Sequence, residues 1–161
     1  MSKLTEREIG FLERAIELAG EGMKGGQGGP FGCIVVLGDK IVGEGCNRVT
    51  SSNDPTAHAE VVAIRNACER LGTYQLSDCE IYTNCEPCPM CLGAIYWARP
   101  RKVIYANTRE QAAAIEFDDA FIYDEINAPM DKRKIPFIHY PHPAARKLFD
   151  DWDKWEGKTK Y

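Results

Sequence analysis

Two short stretches constrain this chain more than any other feature: Pro55-Thr56-Ala57-His58-Ala59-Glu60 and Glu86-Pro87-Cys88-Pro89-Met90-Cys91. They hold one histidine, a glutamate two residues on, and a Cys-x-x-Cys pair preceded directly by Pro87. Twenty-seven residues separate Glu60 from Cys88. Any fold this chain adopts must bring His58 to the two cysteines across that gap. An imidazole and two thiolates make a zinc site with three protein ligands and a fourth position for water. Glu60 is not needed as a ligand. On a helix it cannot share a ligand face with a histidine two positions away. Beside the open position it is the right group to move the protons of that water.

The other bounds are broad. A chain of 161 residues, 44% hydrophobic and 27% charged, has room for one domain with a full core, and residues 1–161 are expected to form a single domain. The net charge of -4 argues against a nucleic-acid partner, which usually requires a basic face. No apolar run approaches the ~20 residues of a membrane span. The first residues, Met1 to Glu8, carry no apolar signal core, so a cytoplasmic protein is expected. Seven cysteines without such a signal do not read as a disulfide framework. Cys88 and Cys91 read as ligands, and the others mostly as small buried apolar residues.

Along the chain, Thr5-Glu6-Arg7-Glu8 is a capping box, and Ile9, Leu12, Ile16 and Ala19 follow at helical spacing, predicting a helix over about 5–22. The glycine-rich Gly25-Gly26-Gln27-Gly28-Gly29-Pro30 lacks the ending of a phosphate loop and the dinucleotide fingerprint, so both readings are excluded. Its glycines suit a close backbone approach. Phe31 follows, either as a core aromatic or as a wall against a planar ligand. Gly32–Leu37 and Lys40–Cys46 are β-rich runs joined at Gly38-Asp39, a hairpin. Asn47, just past the second strand, reads as a turn former or as a substrate hydrogen bond. Asp54-Pro55 reads as a helix start, with Asp54 at the cap, Val61, Ile64, Ala67, Cys68 and Leu71 as the buried face, and Gly72 as the stop. Cys79–Asn84 predicts a third strand and Pro89–Ala98 a helix, which puts Cys88 and Cys91 at a helix N-terminus, where thiolates are stabilised. By spacing alone, Cys85 could join or replace one of these ligands.

Lys102–Ala106 predicts a fourth strand, and a second capping box at Thr108-Arg109-Glu110-Gln111 opens a helix to about Ile115. In Phe117-Asp118-Asp119 the paired carboxylates read as a helix cap, or as an acid held in a partly apolar setting. Ile135–His139 predicts a fifth, edge-like strand, and 144–155 a last helix with Leu148, Trp152 and Trp155 on one face. His139 and His142 read as surface histidines. The expected fold is α/β: a mixed five-stranded sheet with helices on both faces, its fourth and fifth strands able to run parallel.

The histidine-x-glutamate and proline-Cys-x-x-Cys arrangement is an established signature of zinc nucleobase deaminases. On these residues the chain resembles the cytidine-deaminase-like superfamily, and within it the small bacterial guanine deaminases. The closer match rests on Gly28–Gly32, Asn53–Glu60, Asn84–Ala98, Phe117-Asp118-Asp119 and the terminal Tyr161. The resemblance implies a three-layer α/β/α fold and one Zn2+ per subunit on His58, Cys88 and Cys91. It implies hydrolytic deamination of guanine to xanthine and ammonia, with zinc-bound hydroxide attacking C2 and Glu60 shuttling protons. Asp119 would assist proton transfer to the leaving amine. Phe31, Asn47, Ala57, His58, Trp97 and Tyr161 would bind substrate: Phe31 and His58 stacking on the purine, Asn47 hydrogen-bonding it, Trp97 lining the pocket and Tyr161 covering it. It further implies a homodimer in which the segment from about 144 to 161 is a candidate for exchange between subunits.

Three rivals stand beside this reading. A tRNA adenosine deaminase shares the zinc motif and should show basic clusters; Arg99, Arg101, Lys102 and Lys132-Arg133-Lys134 are present, but the chain as a whole is acidic. The same chemistry could act on guanosine, cytosine or an aminated triazine. A structural zinc module would normally close the site with a fourth protein ligand and leave Glu60 without a purpose.

Overall fold

The computed structural model describes residues 3–161 and falls into two compact units, the first ending at Phe121 and the second running from Ile122 to Tyr161. In the first unit, α1 (Glu6–Lys24) starts at Thr5, whose side chain accepts from the Glu8 N–H while Glu8 reaches back to the Thr5 N–H. The hairpin follows as β1 (Gly32–Leu37) and β2 (Lys40–Cys46), antiparallel, with Gly38 at φ 59 taking the turn position that disfavours a side chain. A short helix, α2 (Val49–Ser52), and then α3 (Ala59–Leu71) lead to β3 (Cys79–Cys85). Helix α4 (Pro89–Ala98) crosses over to β4 (Lys102–Asn107), which pairs parallel to β3. The sheet order is β2-β1-β3-β4, and β1 pairs antiparallel with both β2 and β3.

Alternation along the strands builds two cores. Ile34 and Val36 of β1 and Tyr82 of β3 pack with Ala15 of α1, joined by Phe11, Leu12 and Leu18. Cys33, Val35 and Ile81 face the other way, onto Ala59, Ala63 and Ala67 of α3 and Ile95 and Ala98 of α4. Glycines let both layers press close. A Cβ on Gly32 would stand 2.2 Å from the Ala15 carbonyl oxygen, and one on Gly45 would stand 2.4 Å from that of Ala59. The start of α3 is therefore seated directly on β2.

A polar clasp ties the first unit at its edge. Glu80, 4% exposed, accepts from Arg7 at 2.9 Å, Tyr82 at 2.7 Å and Arg101 at 2.8 Å, with Lys102 at 3.2 Å. Arg7 also reaches Asp39 at 2.7 Å and the Gly38 carbonyl, so α1, the hairpin turn, β3 and β4 share one ionic cluster.

The structure corrects the expectations in several places. The sheet has four strands, not five. Residues 136–142 form no regular element, and Ile138 is 90% exposed. An apolar run containing Pro136 has lost one ladder donor and finds no strand edge to pair with. The parallel pair is therefore β3 and β4, not a fourth and fifth strand. The helix expected to start at Asp54-Pro55 starts at Ala59, with His58 as its N-cap. Asp54 instead accepts from the Thr56 N–H at 2.8 Å and the Thr56 hydroxyl at 2.7 Å, an Asx-turn. The helix opened by Thr108 is α5 (Arg109–Ala113), capped as expected and ending two residues earlier.

Just before α6 (Ala120–Asn127), Asp118 accepts from the Ala120 N–H at 2.8 Å, the same bond to the residue two positions on that Asp54 makes. The second unit adds a 3-10 turn (Met130–Lys132) and α7 (Pro143–Lys154), which begins one residue earlier than expected with His142 as its N-cap. Leu148, Trp152 and Trp155 are 66%, 43% and 56% exposed. No helix among the described residues is long and apolar enough to cross a membrane.

Candidate active site

Two helix N-termini converge. His58 is the N-cap of α3, with Glu60 in the first turn. Cys88 is the N-cap of α4, Pro89 follows as its first residue, and Cys91 lies one turn in. Proline suits that first position because its missing N–H would have no helical partner. Free N–H groups and the positive ends of both helices stabilise anionic ligands at this point.

His58 Nδ1 stands 3.5 Å from Cys88 Sγ and 3.5 Å from Cys91 Sγ. All three donor atoms lie within 4.8 Å of one another, and among the described residues they form a three-donor group without a fourth protein ligand. Zinc bonds of ~2.3 Å to sulfur and ~2.05 Å to nitrogen in a tetrahedron imply N···S edges of about 3.6 Å. The donors fit that ion in type and in spacing. Cys85 stays outside the group, its thiol directed to the Thr108 carbonyl at 3.9 Å.

Glu60 is 6% exposed, and its Oε2 lies 3.3 Å from Cys91 Sγ. Burial raises its pKa above the usual carboxylate value. The two cysteines behave as a coupled pair. The hydrogen bond from Cys91 and that from His58 hold the Cys88 thiol down at about 4, while Cys91, hydrogen-bonded to Cys88 and buried, is pushed up. Asp119, half-buried, is also raised, first by desolvation and then by the Cys88 charge.

One wall belongs to the glycine loop. Phe31 meets Phe117 edge-on, ring centroids 4.9 Å apart at 89°. Asn47, 6% exposed, donates its backbone N–H to the Phe31 carbonyl at 2.9 Å, and its Oδ1 accepts from the Val49 N–H at 3.2 Å. Gly28 lies so close that a Cβ there would stand 2.2 Å from that Oδ1. Ala57, 5% exposed, accepts the Arg48 N–H through its carbonyl at 2.9 Å, which pins the turn before His58 to the end of β2. Trp97 lies on α4 with 63% of its surface exposed. Tyr161, 70% exposed, belongs to the second unit, whereas the site described is built wholly by the first.

Asn84 is a residue the motifs do not mark. It is 8% exposed, accepts from the Gly32 N–H at 2.9 Å and donates to the Pro30 carbonyl at 2.9 Å. Its only sequence signal is an amide ending a buried strand just before the Cys-x-x-Cys loop.

Comparisons with known proteins agree with this geometry. The family model for the cytidine and deoxycytidylate deaminase zinc-binding region matches residues 5–107, which include all three donors and Glu60. A guanine deaminase of Bacillus subtilis (strain 168) is 55% identical over 151 residues, covering 94% of this chain and 97% of the relative. A tRNA-specific adenosine deaminase of Aquifex aeolicus (strain VF5) is 32% identical over 144 residues, covering 89% of this chain and 92% of the relative. The crystal structure of guanine deaminase from Bacillus subtilis superposes with a TM-score of 0.93 at 52% identity, covering 98% of this chain and 99% of that one.

Proposed function

The chain belongs to the cytidine and deoxycytidylate deaminase zinc-binding family, and from that premise we propose that it hydrolyses guanine to xanthine and ammonia. The observation that carries the reading is the placement of Glu60: a buried carboxylate 3.3 Å from one metal-binding sulfur and outside the donor set. When bound, zinc supplies a Lewis acid that lowers the pKa of water to about 7.

The protein's own groups do the rest. Glu60 takes a proton from the attacking water and passes it to a ring nitrogen of the purine. A C2–O bond forms; Glu60 then takes the remaining proton of the new C2 hydroxyl and delivers it to the amine, so that the C2–N bond breaks, ammonia leaves and the C2 carbonyl of xanthine is left. Asp119, half-buried and within the field of Cys88, assists at the same amine. Phe31 stacks on one face of the purine and the His58 ring on the other. Asn47 has its Oδ1 engaged by Val49, so its amide N–H is the end suited to a purine acceptor. Ala57 and Trp97 contribute pocket surface, and Tyr161 closes it.

Residues 1–161 act as one functional domain in this reading, in a homodimer. None of residues 122–161 is buried, and Ile135, Ile138, Phe149 and Trp152 are 72%, 90%, 74% and 43% exposed. An apolar surface of that kind supports cover by a second copy, with the segment from about 144 exchanged between subunits. The seven cysteines form no disulfide, which fits a reducing compartment such as the cytoplasm.

The family also holds tRNA-specific adenosine deaminases. Higher identity to the guanine deaminase and a net charge of -4 favour the free base. The test is ammonia release by the zinc-loaded protein from guanine, guanosine, adenine, cytosine, an aminated triazine and tRNA. Release from guanine well above all others is expected; equal activity on guanosine, or preference for tRNA, overturns the choice of substrate.

A further inference from the structure

We propose that Asn84 is a positioning residue that locks the loop bearing Phe31 to the strand feeding the metal ligands, and so sets purine binding; this rests on the reading of Phe31 as a substrate wall. The β1–β3 ladder ends at Cys33 opposite Thr83. Beyond that rung, the next groups on the β1 side are the Gly32 N–H and the Pro30 carbonyl. On its other edge Gly32 pairs with Cys46. The Asn84 side chain supplies what a further stretch of strand would have supplied: Oδ1 accepts from Gly32 and Nδ2 donates to Pro30, each at 2.9 Å. Neighbouring Thr83 adds its hydroxyl to the Gly32 carbonyl at 3.3 Å.

The amide offers an acceptor and a donor on two separate atoms of one short planar group, and only one of its two orientations satisfies both partners. Asn84 thus brackets the peptide units on either side of Phe31. The loop is held again at the Phe31 carbonyl by Asn47, and at the ring by Phe117. Four residues on from Asn84, the same chain becomes the ligand Cys88. The purine wall and the metal loop are therefore joined through one buried side chain.

Asn84→Ala removes both bonds. Asn84→Asp keeps the shape and the Gly32 bond but sets an oxygen against the Pro30 carbonyl. For both variants we expect faster amide hydrogen exchange at Gly28, Gly29, Phe31 and Gly32. We also expect a rise of roughly tenfold in KM for guanine, the order of one buried hydrogen bond, with kcat within about twofold. Zinc should stay at one per chain. In a Phe31→Ala background, Asn84→Ala should shift KM by less than about twofold, because the two changes act through one contact. Unchanged loop exchange, additive effects of the two substitutions, or a fall in kcat that tracks zinc loss would overturn the proposal. If the unmodified protein releases no ammonia from guanine, the substrate reading fails, while amide exchange still decides the role of Asn84.

Discussion

The two units handle apolar surface in opposite ways. In the first, Ile34, Val35, Val36, Ile81 and Tyr82 are fully buried between α1 on one face and α3 with α4 on the other. In the second, no residue of 122–161 is buried, though it carries Phe137, Tyr140, Phe149, Trp152 and Trp155. A single chain thus satisfies the hydrophobic requirement of one unit and leaves that of the other open. All three metal donors belong to the first unit. The second unit carries exposed apolar side chains, the surface that the proposed homodimer would cover.

Substitutions in each unit should act on different properties of the protein. The largest effect belongs to the donor set. Cys91→Ser should abolish zinc retention and bring guanine turnover to background, since three ligands leave none in reserve; metal analysis beside an ammonia assay reads both. In the second unit, Phe149→Asp with Trp152→Asp should weaken dimerisation by about a hundredfold or more while zinc per chain stays constant. Analytical ultracentrifugation across concentration measures it, and a dimer of unchanged affinity would show that Phe149 and Trp152 lie outside the interface.

A smaller effect is expected at the clasp of the first unit. Glu80 is held well below its ordinary value of 4.5, at about 2, by Arg7, Tyr82, Lys102 and Arg101, against the opposing effect of burial. A carboxylate with a depressed folded-state pKa stabilises fully above the ordinary value, and that stability is lost as pH falls from 4.5 towards 2. Glu80→Gln should therefore lower stability by about 1–3 kcal/mol at pH 7. The two proteins should converge in acid; thermal melts from pH 7 to pH 3 compare them.

Much of the site was legible because its signals are local. His58, Glu60, Cys88 and Cys91 lie in two short motifs, and a proline directly after Cys88 marks the start of α4. The capping boxes at Thr5 and Thr108 and the two-residue hairpin are equally local. What could not be read depends on distant partners. Asp54 before a proline resembles a helix cap and an Asx-turn alike, and only the seating of Ala59 on Gly45 decides where α3 begins. Ile135–His139 has a strand's composition, but no sheet edge receives it. Glu80 and Asn84 look like ordinary members of a strand; their importance comes from Arg7, Gly32 and Pro30, more than fifty residues away.

In the proposed reaction Glu60 moves protons and does not hold metal. Glu60→Gln keeps the shape of the side chain and removes its ability to accept a proton. Bound zinc and guanine turnover, measured on the same preparation, separate the two roles. One zinc per chain with kcat lowered by about a thousandfold or more is the expected result. Zinc loss on this substitution, or turnover close to that of the unmodified protein, would contradict it.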